Sequence, residues 1–133
     1  MKANVEELRS LVQRALQAAG ASEAMASSTA RALVLAESQG IGSHGLSRVA
    51  QYAAHLKNGR ADGNAVPQVV RVCSAAVQID AGRGLAFAAC ALATQEAIER
   101  ARSNGIAIAG VINSHHAGVI VDHLRPVAAA GMV

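Results

Sequence analysis

Gln68-Val-Val-Arg-Val-Cys73, Ser74-Ala75, Ala76-Val-Gln-Ile-Asp80 and Ala81-Gly82-Arg83-Gly84 make up the stretch where the chain changes its period. Apolar and polar residues alternate on either side of a two-residue link, which predicts two short strands folded back as a hairpin. Upstream of it the apolar spacing is helical. Val5, Leu8, Leu11, Val12, Ala15 and Leu16 form one stripe over residues 4–19, ended by Gly20. Ser22 is the expected N-cap of a second helix, with Glu23 beside it, running to about Gln39 before Gly40. A third helix is expected from near Ser43 to Lys57, stopped by Asn58-Gly59, with Leu46, Val49, Ala53 and Leu56 on its apolar side. On that reading His44 and Arg48, four residues apart, leave the opposite face together.

Downstream, Gly82 and Gly84 are expected to allow a tight corner into an Ala-rich helix over residues 85–103, closed by Asn104-Gly105. The apolar run from Ile106 to Ile112 reads as a buried strand ending at Asn113. A last helix should span residues 118–130 and stop at Gly131, and Met132-Val133 looks like the start of another strand. The fold class is therefore α/β: a helical subdomain over residues 1–60, then an incomplete mixed α/β, sandwich-like domain over residues 61–133. It is not a Rossmann fold. Asp80-Ala-Gly-Arg-Gly84 links strand to helix as a dinucleotide fingerprint would, but Phe87 holds the third glycine position and the next strand ends in Asn113 rather than an acid.

Composition narrows the rest. Of 133 residues 52% are hydrophobic, yet only 2% are aromatic, so Tyr52 and Phe87 are the only rings available to a core built largely of alanine. Alanine buries little area, and so thin a core suggests a piece that packs against something more. The net charge of +3 is scattered among acids, with no basic run interleaved with aromatics, which argues against nucleic acid as a partner. No signal-like apolar core opens the chain, and no stretch is long and apolar enough for a membrane. Cys73 and Cys90 form no CxxC pair and are expected to be buried, which fits a reduced cytoplasmic protein.

Two polar groups carry chemistry. Ser43, His44 and Arg48 place a hydroxyl, an imidazole and a guanidinium within six residues. A guanidinium fork suits a carboxylate and an imidazole suits the oxygen on the neighbouring carbon, which together describe a small 2-oxo or 2-hydroxy acid. The plainer alternative is a hydroxyl N-cap, a surface histidine and a solvated arginine. Asn113-Ser-His-His-Ala-Gly118 follows the apolar strand, at the end where α/β crevices commonly lie, and the first amides of the next helix could receive an anion. Here the plainer alternative is a capped turn with two idle histidines. A third possibility is a metal held by His115, His116, Asp122 and His123, although adjacent histidines diverge and no usual zinc pattern is complete. His55 is assigned to packing or surface.

The ordered set Ser43-His-Gly-x-x-Arg48, Tyr52 through Asn58-Gly59, Asp80-Ala-Gly-Arg-Gly-Leu85 and Asn113-Ser-x-His-x-Gly118 resembles the malate/L-lactate dehydrogenase family of NAD(P)H-dependent oxidoreductases, which is distinct from the Rossmann-fold enzymes of similar name. The resemblance implies hydride transfer between NAD or NADP and a 2-oxo acid or cyclic imino acid. It implies that Ser43 and His44 form a catalytic pair, Arg48 binds the substrate carboxylate, and His116 is a proton acceptor beside the nicotinamide. It further implies that the backbone of His116, Ala117, Gly118, Val119 and Ile120 touches the coenzyme, and that the intact enzyme is a cytoplasmic homodimer. Members of the family are more than twice this length. The chain is accordingly expected to be an amino-terminal portion, inactive by itself. The rivals are a non-catalytic dehydrogenase-like remnant and the small histidine metal module.

Overall fold

The computed structural model describes residues 4–133. Helix α1, Val5–Ala18, starts where the Asn4 side chain accepts the Glu6 amide. Helix α2, Glu23–Ser38, starts where Ser22 Oγ accepts the Met25 amide at 3.3 Å, the cap the sequence predicts. Helix α3 is shorter than expected, Val49–Lys57. The segment before it is two 3₁₀ turns, Gly42–His44 and Leu46–Arg48, broken at Gly45. Helix α4 runs Ala86–Asn104, with Gly105 in the left-handed conformation just past its end.

Strands β1, Gln68–Val72, and β2, Ala76–Asp80, form the expected antiparallel hairpin, with the Cys73 amide donating to Ala76 O at 2.8 Å. Strand β3, Ile108–Ile112, lies parallel to β2, so the sheet order is β1-β2-β3. A hairpin followed by a helical crossover to a parallel neighbour makes this a mixed sheet. Helix α5, Ile120–Ala129, comes last; Pro126 inside it withholds one backbone donor.

Two apolar clusters hold the molecule together. The larger joins Val12 and Leu16 of α1, Met25, Ala26, Ala30 and Leu33 of α2 and Tyr52 and Leu56 of α3 to Leu85 and Phe87 at the head of α4. The smaller sits between α4 and the sheet: Val77 and Ile79 alternate inward from β2 against Ala89 and Ala93. Among the described residues only the α4 side of the sheet is covered, and all five residues of β1 are exposed.

Three further sequence expectations change. The run Ile106–Ile112 is not a buried strand: it starts only at Ile108, and Ile106 and Ile108 are each 70% exposed, because β3 is an edge strand among the described residues. Cys73 is exposed at the hairpin turn rather than buried, and Cys90 is half-buried. Tyr52 and Phe87, the two rings expected in the core, do lie there: Tyr52 is 1% exposed in the main cluster, edge-on to Phe87 with ring centroids 6.0 Å apart. The third is that His44 and Arg48 do not lie one turn apart on a helix, since Gly45 interrupts it. Among the described residues no helix is long and apolar enough to cross a membrane.

Candidate active site

Gly45 explains the broken helix. A Cβ there would overlap the Glu37 side chain and approach the Glu37 Cα to 3.1 Å. The space is taken because Glu37 Oε2, at the end of α2, accepts the Leu46 amide at 2.8 Å. A carboxylate on a backbone amide is a strong hydrogen bond, and this one pins the loop to α2. Ser47 Oγ donates to Gly42 O at 2.6 Å and tightens the same turn. The loop therefore presents Ser43, His44 and Arg48 through fixed backbone rather than a helical stripe.

Arg48 is itself held. Its Nε donates to Ser43 O at 2.7 Å and its Nη1 to Gln51 Oε1 at 2.8 Å. With Nε occupied, a carboxylate has to be met end-on, by Nη2 and the remaining hydrogen of Nη1. Ser43 Oγ lies 3.0 Å from Nδ1 of His44, so the hydroxyl and imidazole are paired.

The second polar group arrives from the far side of the sheet. β2 and β3 end side by side, and Asn113, with φ +52°, turns its amide to donate to Asp80 Oδ1 and Oδ2 at 3.1 and 3.0 Å. Asp80 Oδ1 also accepts the Gly82 amide at 2.7 Å, and Arg83 N donates to Asn113 O at 2.8 Å. This clasp, rather than a helix cap, is what Asn113 does. Helix α5 begins at Ile120, not 118, after Val119, and no side chain caps its amino terminus.

The clasp throws His116 back towards α3. Tyr52 Oη lies 3.0 Å from His116 Nδ1, and the Gly118 amide donates to the same nitrogen at 3.1 Å. The His44 and His116 rings stand with centroids 5.2 Å apart. Gly118 takes φ +74°, and a Cβ on it would come within 2.7 Å of Phe87, so the core ring sets how close this loop approaches. Burial, then the charge of Arg48, then His44, press the His116 pKa below its ordinary value. Burial raises the Tyr52 pKa against the opposing pull of Arg48, which keeps its hydroxyl protonated.

Residues 43–48 and 113–118, far apart in sequence, thus meet on one face. That face is open: Ser43 and His116 are exposed, and His44 and Arg48 are half-buried. The four side chains of the metal alternative go to different partners. His115 Nε2 lies 3.0 Å from Arg60 O, His116 is held by Tyr52, Asp122 pairs with Arg31 at 2.7 Å, and His123 Nε2 lies 2.7 Å from Ala117 O. No group of three or more candidate ligands converges among the described residues. Glu37, Gln51 and the hydrogen bond of Tyr52 escape sequence reasoning. Gly45 in a helical context, seven residues before Tyr52, is the one signal that could have pointed to them.

Comparison with known proteins agrees with this architecture. Residues 3–133 match the family described as Malate/L-lactate dehydrogenase. The chain is similar to the Δ1-pyrroline-2-carboxylate/Δ1-piperideine-2-carboxylate reductase of Pseudomonas putida, 39% identical over 127 residues, covering 96% of this chain and 37% of that protein. It is similar to the (2R)-3-sulfolactate dehydrogenase (NADP+) of Chromohalobacter salexigens, 37% identical over 98% of this chain and 39% of that one. The crystal structure of Δ1-piperideine-2-carboxylate reductase from Pseudomonas syringae superposes with a TM-score of 0.92 at 34% identity, over 98% of this chain and 40% of the other. The chain spans less than two fifths of the length of the two curated relatives.

Proposed function

The chain belongs to the malate/L-lactate dehydrogenase family, and on that premise we propose that it supplies the substrate-binding part of an NAD- or NADP-dependent oxidoreductase acting on a small 2-oxo acid or cyclic 2-imino acid. The observation that carries this reading is the meeting of Arg48, His44 and His116 on one face, from two segments some 70 residues apart in number. Arg48 takes the substrate carboxylate end-on through Nη1 and Nη2, which orients the neighbouring carbonyl. The reduced nicotinamide, when bound, supplies the hydride. Negative charge then builds on the substrate oxygen, and an imidazole, His44 or His116, meets it with a proton. Ser43 orients His44. The backbone of His116, Ala117, Gly118, Val119 and Ile120, ending at the uncapped start of α5, is the segment fitted to touch the coenzyme.

Residues 1–60 serve as the helical subdomain and residues 61–133 as the α/β part; a second apolar cluster drawn wholly from the latter supports the division, while the larger cluster joins the two through Leu85 and Phe87. A cytoplasmic setting is supported by two free cysteines, and a homodimer by the large apolar side chains left exposed on β3 and α5.

A chimera tests this. Residues 1–133 would replace the matching segment of the Pseudomonas putida reductase, and NADPH oxidation would be followed with pyruvate and with Δ1-piperideine-2-carboxylate. Turnover that Arg48→Ala lowers by about a hundredfold or more in kcat/KM is expected. A folded chimera whose turnover ignores Arg48→Ala would contradict the proposal.

A further inference from the structure

His116 receives two hydrogen bonds at one nitrogen. The Gly118 amide can only donate, so Nδ1 of His116 must be the acceptor, at 3.1 Å. Tyr52 Oη, 3.0 Å from the same atom, then has to donate as well. A buried phenol, 1% exposed and packed edge-on against Phe87, has little freedom to turn elsewhere. In a neutral imidazole whose Nδ1 accepts, the hydrogen sits on Nε2. Nε2 of His116 has no hydrogen-bond partner among the described residues, and the side chain is exposed. Protonating Nδ1 would point its N–H at the Gly118 N–H. Arg48 and His44, the charged and titratable groups nearest this ring apart from Tyr52, oppose an added charge.

Resting on the dehydrogenase reading above, we infer that Tyr52 and the Gly118 amide lock His116 as the neutral, Nε2-protonated imidazole, so that His116 donates a hydrogen bond to the substrate's 2-oxo oxygen and His44 delivers the proton. His44 is built for the other role. Its Nδ1 faces Ser43 Oγ at 3.0 Å, an oxygen able to accept an N–H, and its Nε2 is likewise without a partner among the described residues. In the reduction, hydride adds to the carbonyl carbon and the C=O π pair moves to oxygen. That oxygen takes the Nε2 proton of the His44 imidazolium. His44 is left neutral with its hydrogen on Nδ1, donating to Ser43, and solvent restores the lost proton. His116 keeps its hydrogen throughout and stabilises the developing charge. The Tyr52 hydroxyl meets His116 and none of the reacting atoms, so Tyr52 is a positioning residue.

The test is long-range proton–nitrogen correlation on the whole chain with ¹⁵N-labelled histidine. In its neutral form, read at about pH 8, His116 should show an unprotonated Nδ1 and a protonated Nε2. A protonated Nδ1 would overturn the inference. Tyr52→Phe keeps the buried ring and removes one donor to the neutral form, so the His116 titration midpoint should rise by about 0.5 to 1 unit. A fall would mean that Nδ1 donates to Tyr52, and the inference fails. If the variant does not fold, the tautomer of the unmodified chain still decides. Pyruvate added to the same sample separates the two readings. Shifts at His44 and His116 support both; their absence, with the tautomer as expected, sinks the dehydrogenase reading and with it the substrate role of His116.

Discussion

Arg48 has three hydrogen-bonding nitrogens, and the protein already uses two of them. Nε rests on Ser43 O and Nη1 on Gln51, so the guanidinium is aimed before any substrate arrives. Lysine could neither span those two acceptors nor offer a fork, which makes Arg48→Lys a sharp test. In the active chimera it should raise KM for the 2-oxo acid by about tenfold or more and leave the coenzyme KM within about twofold. Steady-state kinetics with each substrate varied in turn would show this, and an unchanged acid KM would remove Arg48 from the carboxylate role. Gln51 is a milder case: Gln51→Ala frees Nη1, and a threefold or smaller rise in the same KM is expected. Ser43, His44, Arg48 and His116 stand out in the sequence by type and order, and the structure brings them to one face. Tyr52 was legible only as a ring. Which atom its hydroxyl meets depends on a loop 64 residues away, and no local pattern encodes that.

At the scale of elements, the segment before α3 shows how a local rule is overridden. Spacing of four residues places His44 and Arg48 together on any helix, but Glu37 takes the Leu46 amide and splits the helix into two turns. The two side chains still reach one site by a different route. Removing the pin should loosen it: Glu37→Gln weakens a charge-assisted bond, and faster hydrogen exchange at the Leu46 amide is the expected result. Unchanged protection would mean that the loop stands without Glu37. Helix α5 is tied to α2 by Arg31, whose Nη1 and Nη2 both reach Asp122, at 3.0 and 2.7 Å. The pairing with Arg31, chiefly through that hydrogen bond, holds the Asp122 carboxyl below its ordinary value despite burial. A carboxyl lowered in the folded state adds stability above its unfolded pKa and loses it as pH falls through the folded one. Arg31 is nearly half exposed, so solvent screening leaves the pair worth about 1 kcal/mol at most. Asp122→Asn should therefore destabilise the chain modestly near pH 7 in urea unfolding, and the gap should close as acid protonates the carboxyl, at a pH below the ordinary carboxylate range. A gap that persists in acid would assign it to packing.

Across the whole molecule the helix order, the hairpin and the α/β class were readable from periodicity, because each α-helix keeps its pattern for two turns or more and the hairpin strands break it around a two-residue link. Burial was not. Ile106 and Ile108 read as core but lie on an edge, and Cys73 read as core but lies at a turn, since exposure is set by what packs on the sheet rather than by residue type. The interior itself is small-residue and interlocked. Leu33 is fully buried in the main cluster, and Leu33→Ala should cost about 2 to 5 kcal/mol in denaturant unfolding, a loss large enough to unfold a chain with so few large side chains. The candidate face is open among the described residues, so the isolated chain should bind a 2-oxo acid only weakly, at roughly millimolar concentration, and should not oxidise NADH or NADPH. That weak binding can still be seen site by site. Titration of the histidine-labelled chain with pyruvate, read by nuclear magnetic resonance, asks whether residues 43–48 and 113–118 form one site. Signals of His44 and His116 should move on a single shared binding curve that Arg48→Ala abolishes, while His123 stays still. Movement of only one of the two histidines, or a curve indifferent to Arg48, would contradict the account.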